Sequence, residues 1–190
     1  MDPKKTSYVF LAEGFEEIEA LTVVDLLRRA EIKCVTVSVS EKGEQVVVGS
    51  HNIPVTADTA LDKITLDDAA ALILPGGMPG TKNLMQSQKL RELLVRANAL
   101  NMRIAAICAA PGVLADLKML DKVNSTCYPT SEEIIKEAGA IVSHDPVVTD
   151  GNITTSRGMG TAIDFGLELV RLLKDEASAI DLQTKIVYRQ

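Results

Sequence analysis

One thiol stands out by its surroundings. Cys108 follows the apolar run Met102 to Ile107 and precedes Ala109-Ala110-Pro111-Gly112-Val113-Leu114, the pattern of a buried strand that turns sharply into a helix. Small flanking residues permit the tight turn that exposes the sulfur. The helix-terminal N–H groups and the positive end of the helix dipole favour an anion there. The sequence therefore predicts a nucleophilic Cys108 held as a thiolate. The other two cysteines lack that context: Cys34 lies within a strand-like run and reads as a buried, inert thiol, while Cys127 sits beside Tyr128 in a stretch of unclear structure.

A thiolate needs a proton partner and a seat for developing charge. Glu16, Glu17 and Glu19 open a helix-like segment, where carboxylates ordinarily do no more than complement the helix dipole, and that reading accounts for at least two of the three. One of them could instead turn inward, where burial would raise its pKa and let it exchange a proton with the thiol. Periodicity does not choose which. The glycines of Leu74-Pro75-Gly76-Gly77 either end a strand or, through Gly77 together with Ala109, aim backbone N–H groups at one point beside the sulfur as an oxyanion hole. Arg157, between a strand and a glycine-rich helix start, reads equally as a surface charge and as a group that binds an anion or a neighbouring subunit. His51 and His144 lie in turn-rich contexts and read as solvated loop residues, so a Cys-His dyad has little support.

These residues must be brought together by the elements that flank them. Strand-like runs span Ser7 to Ala12, Lys33 to Ser38, Ala70 to Leu74 and Met102 to Ile107, with a hairpin from Val46 to Val48 and Ile53 to Val55. Two further strands, Val147 to Thr149 and Ile153 to Thr155, join at Asp150-Gly151. Helical patterns cover Glu16 to Ala30, Ser87 to Leu100, a short stretch after Cys108, Ser131 to Ala138 and Thr161 to Leu173. Strand-then-helix alternation implies a mostly parallel sheet with helices on both faces, and such folds collect ligands beyond the carboxyl ends of their strands. Glu13 to Glu19, Gly76-Gly77, Cys108 and Ser156-Arg157-Gly158 all follow strands, so topology alone carries them to that edge. The first helix holds Phe15, Ile18, Leu21, Val23, Val24, Leu26 and Leu27, more apolar surface than one face needs; either a second subunit or the chain itself covers the rest.

Composition narrows the function classes. The 190 residues are 46% hydrophobic with a net charge of −6, enough for one well-filled domain over 1–190, with no basic stripe for phosphates. Direct nucleic-acid binding is not expected. Three widely spaced cysteines without CxxC or a His-rich pattern argue against a disulfide framework or structural zinc. Neither Gly158-Met159-Gly160 nor Gly76-Gly77 completes a dinucleotide fingerprint, and no phosphate loop is present. The N-terminal residues lead straight into the first strand, too short a run for a signal-peptide core or a membrane span, so the expected location is the cytoplasm.

Taken together, Ala12-Glu13-Gly14-Phe15-Glu16-Glu17-Ile18-Glu19, Leu74-Pro75-Gly76-Gly77, Ala105-Ala106-Ile107-Cys108-Ala109 and Thr155-Ser156-Arg157-Gly158 resemble the Parkinson disease protein 7 branch of the ThiJ/PfpI family over essentially the whole chain. The resemblance implies a flavodoxin-like three-layer α/β sandwich, a homodimer, and a nucleophile-elbow cysteine hydrogen-bonded to a protonated glutamate. By motif position that pair is Cys108 and Glu19. Gly76, Gly77 and Ala109 match the family's oxyanion and substrate-binding positions, and Arg157 matches an arginine near the site. The implied activity is a glutathione-independent glyoxalase or deglycase acting on methylglyoxal, glyoxal or early glycation adducts, with no metal or organic cofactor. An oxidative-stress role is implied alongside it, in which the cysteine becomes a sulfinate and the protein serves as a redox sensor or chaperone.

Two departures narrow this further. Family proteases place a histidine directly after the nucleophile, where this chain has Ala109, and glutamine amidotransferases need a downstream His-x-Glu that His144-Asp145-Pro146 does not supply. Related proteins also carry a histidine shortly after the elbow helix, where Tyr128 stands here. The residue left to move protons is Glu19.

Overall fold

Short β-branched and apolar runs fully buried on both faces are what a central parallel sheet demands, and β1 (Thr6–Leu11) and the Ala69–Leu74 strand have every residue buried. The computed structural model describes residues 5–40 and 42–189; the expectation that the extreme N-terminus holds no leader falls partly on residues 1–4, outside them. After β1 come α1 (Glu17–Arg29), β2 (Cys34–Ser38), the hairpin strands β3 (Val46–Val48) and β4 (Pro54–Thr56), and the short β5 (Thr59–Ala60). The middle of the chain supplies β6 (Ala69–Leu74), α2 (Gly80–Gln86), α3 (Gln88–Ala99), β7 (Arg103–Ile107) and α4 (Pro111–Asp116). It closes with β8 (Asn124–Ser125), α5 (Glu132–Glu137), β9 (Ile141–Val142), β10 (Val147–Asp150), β11 (Ile153–Ser156), α6 (Ala162–Leu173) and α7 (Glu176–Lys185).

The main sheet has seven strands in the order β10-β11-β7-β6-β1-β2-β5. Among the described residues of this sheet, only the β10–β11 hairpin is antiparallel and the other pairings are parallel. Two apolar clusters cover its two faces. One gathers Phe10, Leu72, Leu74, Leu90, Leu94 and Ile104, and the other Val9, Leu11, Ile73, Leu27, Phe165 and Val170. This is the three-layer α/β sandwich that strand-helix alternation implies, and the register of β1, β6, β7 and β11 brings their carboxyl ends to one edge.

The apolar surplus of α1 has an intramolecular answer. Val23, Leu26 and Leu27 are buried within this chain, and α6 packs so closely that a methyl on Gly166 would lie 3.4 Å from Leu26 Cβ. Leu21 is only partly buried, and Ile18 is left 53% exposed. Five elements were not anticipated from the sequence: α2, α7, β5, β8 and β9. α7 has a weak apolar periodicity, burying only Ala179 and Leu182, and the three strands are two residues each, below the length at which alternation can be read.

Candidate active site

The elbow forms because β7 ends against β11 while the chain must reverse at once into α4. Cys108 takes φ +65°, the left-handed region, which costs a non-glycine residue about 1–2 kcal/mol and persists only where neighbours hold it. Both of its backbone groups are held. Its N–H donates to the Ser156 carbonyl at 3.0 Å, and its carbonyl accepts the Tyr128 N–H at 2.8 Å. The side chain thus points out of the strand edge yet remains only 8% exposed.

Facing it is Glu19, from the first turn of α1, fully buried at 0% exposure. Its Oε2 accepts the Gly76 N–H at 2.8 Å. The carboxyl group also hydrogen-bonds the Cys108 thiol, and Oε1 has no nitrogen or oxygen partner. Gly76 is the wall between acid and thiol: a methyl there would come within 2.7 Å of Cys108 Cβ and 2.8 Å of Glu19 Oε2. Its N–H is therefore engaged in holding the acid, whereas the N–H groups of Gly77 and Ala109 are the two that reach the sulfur. Gly77 can do so because it adopts φ +93°, packed against the Gly14–Glu16 loop, whose Glu16 N–H donates to the Gly76 carbonyl at 2.9 Å.

The electrostatics differ from a thiol acidified by a helix dipole. Burial pushes Glu19 up to about 7, with the nearby Glu16 carboxylate adding to the rise against the opposing hydrogen bonds from Cys108 and Gly76. Burial, then the charge on Glu19, pushes Cys108 up to about 12 against the pull of the Ala109 and Gly77 N–H groups. The thiolate expected at Cys108 therefore depends on its proton passing to Glu19 and not on the helix start alone. α4 begins three residues after the sulfur and is a single short turn and a half, too little and too late to acidify a group sealed from water. What the geometry builds instead is a coupled pair. Between the two apparent values it holds one proton and one negative charge, because two charges in so dry a space repel.

The remaining predicted residues separate. Arg157 donates from Nη2 to Glu132 Oε1 at 3.2 Å and shares the neighbourhood of Cys127, so it borders the site without touching the thiol. Tyr128, 38% exposed, lays its ring against Gly158, where a methyl would meet Cδ2 at 3.3 Å and Glu19 Oε1 at 3.9 Å. Gly158 was not singled out as a site residue; the signal for it was the Ser-Arg-Gly run at a strand end. Cys34 and Cys127 are both buried, and burial pushes Cys34 up to about 12 and Cys127 up to about 11. Of the three helix-opening glutamates, all are buried rather than one, Glu16 at 6% and Glu17 at 5% exposure. Glu17 Oε1 accepts the His51 N–H at 2.8 Å and its Oε2 lies 3.0 Å from His51 Nδ1, so His51, though exposed, is tied to the helix start.

The chain compares with known proteins as this geometry suggests. The DJ-1/PfpI family pattern matches residues 5–172. Protein dj-1beta of Drosophila melanogaster is 38% identical over 169 residues, 89% of this chain and 89% of that one. The Parkinson disease protein 7 homolog of Danio rerio is 30% identical over 187 residues, 97% of this chain and 98% of the other. Among solved structures, oxidized Toxoplasma gondii DJ-1 superposes with a TM-score of 0.91 at 29% identity, covering 98% of this chain and 100% of that one. With its elbow cysteine, its sheet order and a match that runs nearly end to end, this chain belongs to the DJ-1/PfpI family.

Proposed function

We propose that the protein is a cysteine-dependent, glutathione-independent glyoxalase that converts methylglyoxal or glyoxal to the hydroxy acid, with early glycation adducts as related substrates. The observation that supports it is the buried Glu19 carboxyl, raised to about 7, in hydrogen-bond contact with Cys108. The reactive form is the one in which the pair's single proton has passed from Cys108 to Glu19, so that sulfur carries the charge and receives the N–H groups of Ala109 and Gly77. The thiolate adds to the aldehyde carbon: a C–S bond forms, the carbonyl π bond opens, and the negative charge passes from sulfur to an oxyanion that those N–H groups receive. Protonation gives a hemithioacetal. Glu19, now a carboxylate, removes the C–H proton to form an enediol and returns a proton to the adjacent carbon, so oxidation of one carbon is balanced by reduction of the other. Water then hydrolyses the thioester, releasing the hydroxy acid and restoring the thiol. Nothing beyond substrate and water is consumed.

Lactate release from methylglyoxal by the intact protein and by Cys108→Ala and Glu19→Gln tests this. Turnover should require both side chains, and a Cys108→Ala protein that retains full activity rules the mechanism out.

A second reading has its own support. The same dry, donor-lined thiol suits oxidation by peroxide to a sulfinate, because the added oxygens would meet the N–H groups of Gly77 and Ala109 and the proton of Glu19; the Toxoplasma gondii relative is described in an oxidized form. A redox sensor or chaperone in the stress response would use this state without turnover. Proteins of this family are commonly dimeric, and the exposed Ile18 beside the site edge is a surface on which a second copy could rest. No helix among the described residues is long and apolar enough to cross a membrane, and a cytoplasmic location fits either reading.

A further inference from the structure

Beside the cysteine site, and not used by its chemistry, two buried carboxylates and an imidazole converge. Glu16 and Glu17 project from the start of α1, and Ser50 and His51 from the tip of the β3–β4 hairpin, more than 30 residues away in sequence. We propose that Glu16, Glu17 and His51 form a binding site for a first-row divalent cation, with zinc the best match, that clips the hairpin to the helix.

Spacing is the first argument. One oxygen from each carboxylate and a ring nitrogen all lie within 4.8 Å of one another. His51 Nδ1 stands 3.0 Å from Glu17 Oε2 and 3.6 Å from Glu16 Oε2. Donors bound at about 2.1 Å around a tetrahedral ion lie roughly 3.4 Å apart, so these separations need only small adjustments to become a coordination shell.

Burial is the second. The Glu16 and Glu17 side chains are 8% and 6% exposed, and no lysine or arginine ion pair reaches either among the described residues. Two carboxylates withdrawn from water ordinarily require a cation or a full set of donors. Glu17 is supplied by the His51 N–H at 2.8 Å and by the imidazole, and both carboxylates compete for one Ser50 hydroxyl, at 3.1 and 3.2 Å. That hydroxyl has a single proton and cannot donate to both oxygens at once.

Access is the third. The His51 side chain is 68% exposed, so an ion could enter from solvent and keep water in its remaining position. One imidazole with two carboxylates suits zinc, iron or manganese better than a purely oxygen-seeking calcium. The sequence argued against structural zinc from its cysteine spacing; this ligand set contains no cysteine.

Zinc titration calorimetry on the intact protein, His51→Ala, Glu17→Gln and Cys108→Ser tests the assignment, with thermal unfolding and cobalt spectra as independent readouts. The expected result is one zinc per chain, affinity lower by roughly tenfold or more in His51→Ala and Glu17→Gln, and no change in Cys108→Ser. Saturating zinc should raise Tm by about 5 °C in the intact protein and not in His51→Ala. The cobalt complex should lack a sulfur-to-metal charge-transfer band. Absence of saturable binding, undiminished binding in His51→Ala, loss of binding in Cys108→Ser, or a sulfur charge-transfer band would each overturn it. None of these readouts depends on turnover at Cys108, so failure here leaves the glyoxalase proposal standing and the reverse also holds.

Discussion

Glu19 and Cys108 meet across a gap that exists because residue 76 has no side chain: a methyl there would lie 2.7 Å from Cys108 Cβ, 2.8 Å from Glu19 Oε2 and 3.1 Å from the sulfur itself. Acid and thiol belong to α1 and to the end of β7, and the backbone of Gly76 both separates them and holds the acid through its N–H. Proton exchange between the two groups depends on that backbone approaching so closely.

Gly76→Ala should therefore force Glu19 and Cys108 apart. Strain of this kind in a packed interior typically costs about 1–3 kcal/mol, so the variant should fold with a lower Tm and lose most of the contact. Calorimetry measures the first effect and the rate of Cys108 alkylation at neutral pH the second. An alkylation rate equal to that of the intact protein would mean that the pair tolerates separation and that its contact does not set thiol reactivity.

The coupled pair also predicts a pH signature. With Glu19 raised to about 7 from an ordinary 4.5, the folded state holds its proton more tightly than the unfolded chain. Stability from this group is complete below 4.5 and is lost as pH rises to about 7, a change on the order of 3 kcal/mol for a group this buried. Glu19→Gln has no such proton, so the stability difference between the two proteins should shift in favour of the variant across that window in urea unfolding. Alkylation should move the other way. In the intact protein reactivity should rise near pH 7, as the pair acquires its one charge, whereas in Glu19→Gln the thiol must ionise alone against burial and react more slowly at neutrality.

Glu17 predicts the opposite slope. Burial raises it, but hydrogen bonds from the His51 ring, its own and the His51 backbone, and Ser50 outweigh that and lower it to about 2 from an ordinary 4.5. Its stabilisation is present above 4.5 and is lost as pH falls through about 2. Glu17→Gln should lose on the order of 2 kcal/mol at neutral pH, discounted for the exposed imidazole, and lose nothing near pH 2. Acid titrations of the two proteins followed by circular dichroism should converge at the acid end; a constant gap at all pH values would show that packing, not charge, is what the substitution removes.

Much of this arrangement is legible in the chain. Ala69–Leu74 and Arg103–Ile107 announce themselves as buried strands by unbroken apolar runs, and the small residues after Cys108 announce the elbow. Glu19 is harder: its neighbours Glu16 and Glu17 share its helix start and all three are buried, so no periodicity separates the acid at the thiol from the two beneath the hairpin. That distinction comes from β6 and from the β3–β4 tip, both distant in sequence. The sulfur's surroundings are only partly legible for the same reason. Local sequence shows a turn into a helix, but desolvation and the facing carboxyl arise only when α1 is laid across the sheet edge.

The three thiols should part company under peroxide. Cys34 and Cys127 are raised to about 12 and 11 chiefly by burial, and neither has a protonatable carboxyl in hydrogen-bond contact to take up its proton. Cys108 has Glu19 for that, and it has the Gly77 and Ala109 N–H groups to receive anionic oxygens. Mild peroxide followed by peptide mass spectrometry should therefore find a two-oxygen adduct at Cys108 and unmodified Cys34 and Cys127. Glu19→Gln separates acid from donors: the N–H groups persist, the proton acceptor does not, and oxidation at neutral pH should slow several-fold without moving to another cysteine. Equal oxidation of all three thiols would show that access, rather than the acid beside residue 108, governs their reactivity.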